Sequence, residues 1–377
     1  MIDCQRHLFD IPEDVAYLNT AYMSPLMNSV VDAIDKGSRL KARPWTLKID
    51  HFYQDVDIAR SLFSELLKTT AQNVAIIPSA SYGLQIAANN IRIASGSKIL
   101  ILENQFPSNV YPWRRAAKMN NAEIVTISIP EQEASTQYIL DQLDETVSVV
   151  AVPNILWTNG SLVGLKEISR KCREIDAELV LDLTQSAGAF YIDLTEIDPA
   201  FAITANYKWM LGPYTTGFLY VSSRYLEGTP LEEGWIQRKN SKDFANLVNY
   251  QDTYEAGAIR YDMGQRSNFA LIPGVVAALK QLKLWGIKNI ESTLYNQSIS
   301  VSKKLKKIGL IVSKPENRGP HFIGAKLPKD APGNILESLS KEKIYLSERG
   351  GSLRITPHLW NNNNDFDRLE TVLSKIL

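Results

Sequence analysis

The chain has 377 residues, of which 45% are hydrophobic, and its 41 lysines and arginines balance 41 aspartates and glutamates. This length and apolar content allow a large core and favour two lobes over one. A net charge of zero argues against a nucleic-acid or membrane-surface partner, because either needs a basic excess or stripe.

The cysteines, the histidines and the start of the chain indicate the cellular setting. Only Cys4 and Cys172 are present, which excludes a disulfide scaffold and a cysteine-based metal site and is typical of a reducing compartment. Four histidines, at positions 7, 51, 321 and 358, show no ligand spacing, so no metal site is predicted. The segment from Met1 to His7 contains an acid and no apolar run, and no later run is long enough to span a membrane. We therefore expect a cytoplasmic protein with no membrane partner.

The first part of the chain alternates helix and strand signals. A short extended segment containing Asn19 precedes a helix predicted from about Met27 to Ala42. A second helix, predicted from about Phe52 to Lys68, leads into an apolar strand from Val74 to Ile77. This alternation indicates an α/β fold.

The turn after this strand consists of small residues, including Ala80, Ser81 and Gly83. Backbone amides and a hydroxyl in such a turn converge on an anion at the N-terminus of the following helix. Serine and glycine also cap helices where no ligand is bound. The composition fits both a phosphate cradle and an ordinary helix cap.

Two later strands each lead to an aromatic residue. A buried strand from Lys98 to Glu103 precedes a loop with Phe106, and a strand from Val147 to Pro153 precedes a loop with Trp157. These strands continue the alternation expected of right-handed βαβ units. A loop aromatic such as Phe106 either packs against the protein or stacks on a ligand ring.

An aspartate ends the next predicted strand, which runs from Glu178 to Asp182 and is followed by a turn with Gln185 and Gly188. The carboxyl end of a parallel strand faces the ligand-binding edge of an open α/β sheet. We therefore expect the carboxylate of Asp182 at that edge.

A lysine follows the next apolar run. A strand-like apolar run that begins at Ala200 ends at Lys208, which is flanked by Tyr207 and Trp209 and followed by a Gly-Pro turn. Aromatic neighbours partly desolvate such a lysine, which lowers its pKa and makes the neutral, nucleophilic amine available near pH 7. A lysine at a strand end also commonly extends its charged head to solvent. The run by itself leaves both interpretations open.

The last third of the chain has the pattern of an α+β domain. Two helices, one from Ala270 to Trp285 and one from about Ile290 to Ile308, precede short strands and a final helix. One of these strands, from Ser352 to Thr356, carries Arg354. An arginine there either binds a carboxylate through two parallel hydrogen bonds or lies on the surface.

Two of these motifs together resemble a known family. Asp-x-x-Gln-x-x-Gly begins at Asp182 and Tyr-Lys-Trp-x-x-Gly-Pro begins at Tyr207; this pair resembles the class V aminotransferase family of fold-type I pyridoxal phosphate (PLP) enzymes. The family includes cysteine desulfurases, kynureninase-like enzymes and isopenicillin epimerase-like proteins, and the resemblance runs from about Tyr17 to the C-terminus. It implies an α/β fold with a mostly parallel seven-stranded sheet in a large domain, residues 21–265. A smaller α+β C-terminal domain, residues 266–377, and an N-terminal segment near the cleft, residues 1–20, complete the expected organisation.

The resemblance implies PLP as the cofactor and roles for several residues. Lys208 would hold PLP as a Schiff base, and Asp182 would pair with the pyridinium nitrogen and keep it protonated. Arg354 is implied as the anchor for a substrate carboxylate and Asn19 as a residue beside the substrate. The other residues implied in cofactor binding are Ala80, Ser81, Phe106, Trp157, Gln185, Tyr207, Gly264 and Gln265.

Two of these positions bear on what the family resemblance implies. Phe106 stands where family members place an aromatic ring or a histidine over the PLP face; a phenylalanine can stack there but cannot act as the acid/base group that cysteine desulfurases have at this position. Gln265 replaces a threonine that reaches the PLP phosphate of the partner subunit, although its amide can still donate. The resemblance therefore implies a homodimer with active sites at the subunit interface.

The expected function is that of a PLP enzyme acting on a small α-amino acid through Lys208, with an aminotransferase as the first choice. Carbon–sulfur β-elimination on a cysteine derivative, epimerisation, and a non-catalytic binding protein on the same fold are the alternatives. A persulfide-forming desulfurase is disfavoured, because it needs a cysteine near the arginine strand and neither Cys4 nor Cys172 lies there in the sequence.

Overall fold

The computed structural model describes residues 1–130, 133 and 135–377. The helices are α1 Asn28–Lys41, α2 Gln54–Leu66, α3 Ala80–Asn90, α4 Tyr111–Asn120, α5 Ser135–Leu140, α6 Leu165–Glu174, α7 Leu194–Ile197, α8 Leu271–Trp285, α9 Ile287–Lys307, α10 Ile335–Lys341 and α11 Asn363–Ile376. The strands are β1 Ala16–Tyr17, β2 Val74–Ile77, β3 Lys98–Leu102, β4 Glu123–Ile127, β5 Val147–Pro153, β6 Glu178–Asp182, β7 Phe201–Ala205, β8 Gly217–Val221, β9 Ile311–Val312, β10 Ile323–Lys326, β11 Ile344–Tyr345, β12 Ser347–Arg349 and β13 Ser352–Ile355.

Seven strands form the large sheet, in the order β2-β8-β7-β6-β5-β3-β4. β8 is antiparallel to both of its neighbours, and the other six strands run in one direction. The prediction of a mostly parallel seven-stranded sheet is therefore confirmed. All residues of β2, β7 and β8 are buried, as expected for a sheet that is covered on both faces.

The alternation of side chains along the strands divides the large domain into two apolar layers. Ile76 belongs to the layer that includes α2 and α8, whereas its neighbour Ile77 belongs to the layer that includes α3 and α4. Adjacent residues face opposite sides of a sheet, so one continuous apolar run supplies both layers. Helix α8 packs on α1 and α2 and therefore shares the core of the large domain.

The small domain is built on a four-stranded antiparallel sheet in the order β12-β13-β10-β9. Its core includes residues from helices α9, α10 and α11, together with Ala16 and Leu18 from the start of the chain. Strand β1 pairs in parallel with β11 through Ala16 and Ile344. The N-terminal segment is thus joined to the small domain, and the domain boundaries at residues 20 and 265 stay predictions. No described helix combines the length and the apolarity that a membrane span requires.

Strands β12 and β13 form a tight hairpin at the edge of the small domain. Arg349 pairs with Ser352, so only Gly350 and Gly351 form the turn, and both have positive φ angles, 57° and 75°. Two successive residues with positive φ are the signature of the turn that matches the twist of a two-residue hairpin, and glycine adopts it without strain. The turn fixes the register in which Arg349 and Arg354 are presented.

Candidate active site

The ends of five strands bring the predicted site residues together. Parallel strands present their carboxyl ends at one edge of the sheet, and the segments that follow β2, β3, β5, β6 and β7 meet there. They surround a cavity of about 390 Å³. The sequence-predicted residues in its wall are Ala80, Ser81, Phe106, Trp157, Asp182, Gln185, Tyr207 and Lys208.

Several residues of the wall were not predicted from the sequence. Thr184 lies inside the Asp-x-x-Gln motif, and Thr215 and Thr216 precede β8, which begins at the same edge because it is antiparallel. The other such residues are Pro78, Ser79, Gln105, Ser108, Pro153, Ile155, Ala205 and Tyr214. Most of these residues are small or uncharged, and such residues give little signal in a single sequence.

Lys208 is the buried amine of the cavity. Its side chain is 6% exposed, and Nζ lies 5.6 Å from the ring centroid of Phe106 and 5.5 Å from that of Tyr207. Burial lowers the pKa of Lys208 to about 8; Asp182 opposes this shift, and the positive charges of Arg354 and Arg349 add to it. An appreciable neutral fraction near pH 7 makes the amine nucleophilic.

Asp182 is held on the strand next to the lysine strand. It is buried, and its Oδ1 accepts a hydrogen bond from the Thr184 amide at 3.0 Å. The hydroxyl of Thr184 in turn accepts one from the Ala205 amide at 3.2 Å. These bonds fix the carboxylate relative to the end of β7, from which Lys208 follows.

Gln185 and Gly188 connect the aspartate turn to the lysine segment. The Gln185 amide donates to the Ala21 carbonyl at 3.0 Å, and its Oε1 accepts from the indole nitrogen of Trp209 at 3.0 Å. A Cβ at Gly188 would lie 2.2 Å from the Trp209 carbonyl oxygen, and φ there is 98°. Position 188 therefore accepts only glycine. The side-chain nitrogen and the side-chain oxygen of Gln185 both already form hydrogen bonds within the protein.

The N-terminus of α3 forms the small-residue end of the cavity. Ser79 caps the helix, since its hydroxyl accepts from the Tyr82 amide at 3.2 Å. The hydroxyls of Ser81 and Ser108 lie 2.8 Å apart. The first amides of a helix have no partner within the helix, so the amides of Ala80 and Ser81 are available to an anion.

Phe106 and Trp157 form one wall of the cavity. Their rings meet edge to face, with centroids 5.4 Å apart and an interplanar angle of 85°. The indole nitrogen of Trp157 donates to the Asn104 carbonyl at 2.7 Å, which fixes the ring. The Trp157 carbonyl accepts from Nη1 of Arg354 at 3.0 Å.

Arg354 and Asn19 lie outside the residues that line this cavity and are connected to it through Trp157 and Ser347. Arg354 is 1% exposed, and its Nε and Nη2 donate to the Ser347 hydroxyl at 2.9 and 2.7 Å. That hydroxyl donates to Oδ1 of Asn19 at 2.8 Å. Burial, and then the charge of Arg349, lower the pKa of Arg354 to about 10.

Gly264 and Gln265 do not line the cavity of their own chain. The Gly264 amide donates to the carboxylate of Glu232, and the Gln265 side chain is exposed. Their role at the phosphate site of a partner subunit stays a prediction.

Two histidines without ligand spacing in the sequence lie behind the site. His321 Nε2 is 2.6 Å from the Gln185 carbonyl oxygen, and its ring centroid is 4.2 Å from that of Trp209. His358 is tilted against Trp209 at 5.9 Å. Burial lowers the pKa of His321 to about 4 and that of His358 to about 3, so both are neutral at pH 7. In the described part of the chain, no group of three or more potential metal ligands comes together.

The family of the chain follows from a comparison with known sequences. The profile described as aminotransferase class-V matches residues 16–359. The chain belongs to the class V aminotransferase family. An uncharacterized aminotransferase of Schizosaccharomyces pombe is 24% identical, with 98% of this chain and 94% of the relative covered. A probable cysteine desulfurase of Methanothermobacter thermautotrophicus is also 24% identical, with 97% and 96% covered.

A solved structure extends this relationship to the whole fold. A C-DES mutant with glycine covalently linked to its PLP cofactor superposes with a TM-score of 0.88 at 17% identity, covering 99% of this class V chain and 100% of that one. Family membership and fold together confirm the fold-type I architecture and PLP as the cofactor.

Proposed function

We propose that this class V family member is an aminotransferase of a small α-amino acid, with Lys208 as the residue that binds PLP. The observation that carries the proposal is the buried amine of Lys208, whose pKa of about 8 leaves it partly neutral near pH 7. A cavity of about 390 Å³ is in the size range of small-molecule sites. Three features of its wall fit the cofactor.

Each part of PLP has a matching group in the wall. The N-terminus of α3, with Ala80 and Ser81, suits the phosphate, the Asp182 carboxylate suits the ring nitrogen, and the Phe106 ring suits a ring face. When bound, PLP supplies an electron sink for the electrons of a bond at the substrate Cα. Lys208 is the amine that matches its aldehyde.

Lys208 is also the base that transfers the substrate proton. Its Nζ, with a pKa lowered to about 8 by burial, accepts a proton from the substrate Cα near neutral pH and returns it. Burial raises the pKa of Tyr207 to about 12, so this phenol stays protonated. Among the described residues that line the cavity, Lys208 is the only amine. Transamination needs a single base that moves one proton between two sites, and Lys208 meets that need.

Arg354 is suited to the α-carboxylate of the substrate. Each terminal nitrogen of its guanidinium uses one proton, toward Trp157 and Ser347, and keeps a second. Two parallel donors from a fixed guanidinium bind a carboxylate bidentately. Ser347 and Asn19 orient that guanidinium.

β-Elimination from a cysteine derivative is the second candidate, because it needs the same base and no enzyme thiol. Neither cysteine lines the cavity: the thiol of Cys4 contacts the Trp360 carbonyl, and Cys172 is buried in α6, where burial raises its pKa to about 12. A structure with a TM-score of 0.85 is that of C-DES, described as a cystine C–S lyase. The positions of the two cysteines argue against a persulfide-forming desulfurase.

The two candidates differ in what they require and release. We would incubate the PLP-loaded enzyme with individual amino acids, with and without an acceptor 2-oxo acid, and measure oxo acid and ammonia. A transaminase forms at most one equivalent of oxo acid per active site without the acceptor, turns over repeatedly only with it, and releases no ammonia. Release of pyruvate, ammonia and a thiol without acceptor would establish the lyase instead. Lys208→Ala is the control, and product formation by that variant would overturn both.

A further inference from the structure

Two arginines of one hairpin approach the same aromatic ring. The guanidinium carbons of Arg349 and Arg354 lie 5.9 and 5.8 Å from the Trp157 ring centroid. In the hairpin register Arg349 faces Ser352, and Arg354 faces Ser347. Residues directly opposite each other, and residues two apart, share a face of a sheet, so both arginines lie on the same face.

Both guanidiniums have only neutral partners. Arg349 donates to the Glu348 carbonyl at 2.6 Å, and Arg354 donates to Ser347 and to the Trp157 carbonyl. Neither forms an ion pair with any residue that the structure describes. Arg354 is almost fully buried and Arg349 is half-buried. Buried charges are normally paired, so an almost fully buried guanidinium with a second unpaired one beside it favours the binding of an external anion.

A single substrate carboxylate would not neutralise both Arg349 and Arg354. The charges of Arg349 and Arg354 both act on Lys208, and Asp182 is the acid that opposes them there. An α-carboxylate on Arg354 neutralises one guanidinium and leaves that of Arg349 beside it. A second anionic group on the substrate would neutralise the other.

We propose that the substrate is an α-amino dicarboxylic acid, with its α-carboxylate on Arg354 and its side-chain carboxylate on Arg349. This inference rests on the proposed function, because it places the amino group toward Lys208. Trp157, whose ring lies next to both guanidiniums and whose carbonyl holds Arg354, sets the spacing between the two carboxylate sites.

The test uses unreactive dicarboxylates, so it measures binding rather than turnover. Titration calorimetry of the PLP-loaded enzyme would compare succinate and glutarate with propionate and butyrate. The better dicarboxylate is expected to bind about tenfold more tightly than either monocarboxylate, which corresponds to about 1.4 kcal/mol. Equal affinities for the two classes would overturn the proposal.

Substitutions test whether the preference for dicarboxylates depends on Arg349. Arg349→Gln is expected to remove the dicarboxylate preference while monocarboxylate binding persists, and Arg349→Lys to retain part of it. Arg354→Gln is expected to weaken both classes. Arg170→Gln, which removes an exposed arginine side chain from α6, is the matched control and leaves all affinities unchanged. A preference that survives Arg349→Gln would show that the second carboxylate binds elsewhere.

A separate measurement distinguishes an error in the proposed substrate class from an error in the proposed function. Borohydride reduction of the loaded enzyme followed by peptide mapping reports whether Lys208 holds PLP, whatever the substrate. Labelling of Lys208 without a dicarboxylate preference overturns only the substrate class. Labelling of another lysine overturns the proposed function, and with it the placement of the substrate amine.

Discussion

The indole nitrogen of Trp209 donates a hydrogen bond to Oε1 of Gln185 at 3.0 Å, and this contact joins the two motifs that mark the site. Trp209 directly follows Lys208, and Gln185 lies in the turn after Asp182. The backbone carbonyl oxygen of Gln185 is hydrogen-bonded to Nε2 of His321, which lies in the small domain. The lysine segment and the aspartate turn are therefore held as one unit against the second domain.

Loss of the Trp209 donor is expected to disturb the site as well as the fold. Trp209→Phe leaves Oε1 of Gln185 without a partner in a buried place, which costs about 1 to 3 kcal/mol of unfolding free energy. The matched control is Trp285→Phe, since the Trp285 indole also donates to a glutamine Oε1, that of Gln5, at 3.3 Å. Urea unfolding should show a loss in both variants, whereas only Trp209→Phe should weaken PLP binding in a fluorescence titration. Equal PLP affinity in the two would refute the link between the motifs.

The lowered pKa of Lys208 predicts a pH-dependent gain in stability when the lysine is removed. In PLP-free protein its pKa is about 8, against 10.5 for an ordinary lysine, so the folded state disfavours the proton by up to about 3 kcal/mol. That penalty is fully present below pH 8, and it falls as pH rises toward 10.5, because the unfolded chain then also loses its proton. Lys208→Met is therefore expected to be more stable than wild type at pH 7, with a smaller difference at pH 10.

Denaturant unfolding across this pH range measures the effect. Lys280→Met, at an exposed position of α8, is the control and should show a difference that does not change with pH. A stability difference for Lys208→Met that is the same at pH 7 and pH 10 would mean that the lysine is not desolvated in the folded protein.

The exposed side chain of Gln265 leads to a prediction about assembly. If Gln265 completes the phosphate site of a partner subunit, Lys208→Ala and Gln265→Glu chains are each inactive alone. A mixed dimer then contains one intact site, built from Lys208 of one chain and Gln265 of the other. An equimolar mixture refolded together should recover about a quarter of the wild-type activity, from half of the dimers with one site each. No recovery in dimers verified by light scattering would show that each chain completes its own site.

The elements that carry the site were predictable because of their burial. Parallel strands covered on both faces are short, continuous apolar runs, and so β6 was expected from Glu178 to Asp182, as found. Their carboxyl ends share one edge of the sheet, and this rule alone predicts that Asp182 and Lys208 lie close together. Helix ends were less exact: α1 runs Asn28–Lys41 rather than from Met27 to Ala42.

What the sequence left undetermined depends on contacts between distant residues. His321 reaches the Gln185 carbonyl across 136 positions, and Ala16 pairs with Ile344 at the far end of the chain. No local periodicity records such partners. Arg349 likewise has no signal of its own, since its place beside Arg354 follows from the register of a hairpin with a two-glycine turn.

The last prediction concerns the two cysteines and separates the proposed reactions from desulfuration. A variant with Cys4→Ala and Cys172→Ala should keep the wild-type rate constant for product formation, since neither thiol reaches the cavity. Cys172→Ser, which places a hydroxyl in the apolar layer that includes α2 and α8, should instead lower the free energy of unfolding by about 1 to 3 kcal/mol. Kinetics with a cysteine derivative and urea unfolding of both variants measure the two effects. Loss of sulfur release in the double variant, with its fold intact, would establish a cysteine-dependent desulfurase and reject both the aminotransferase and the lyase.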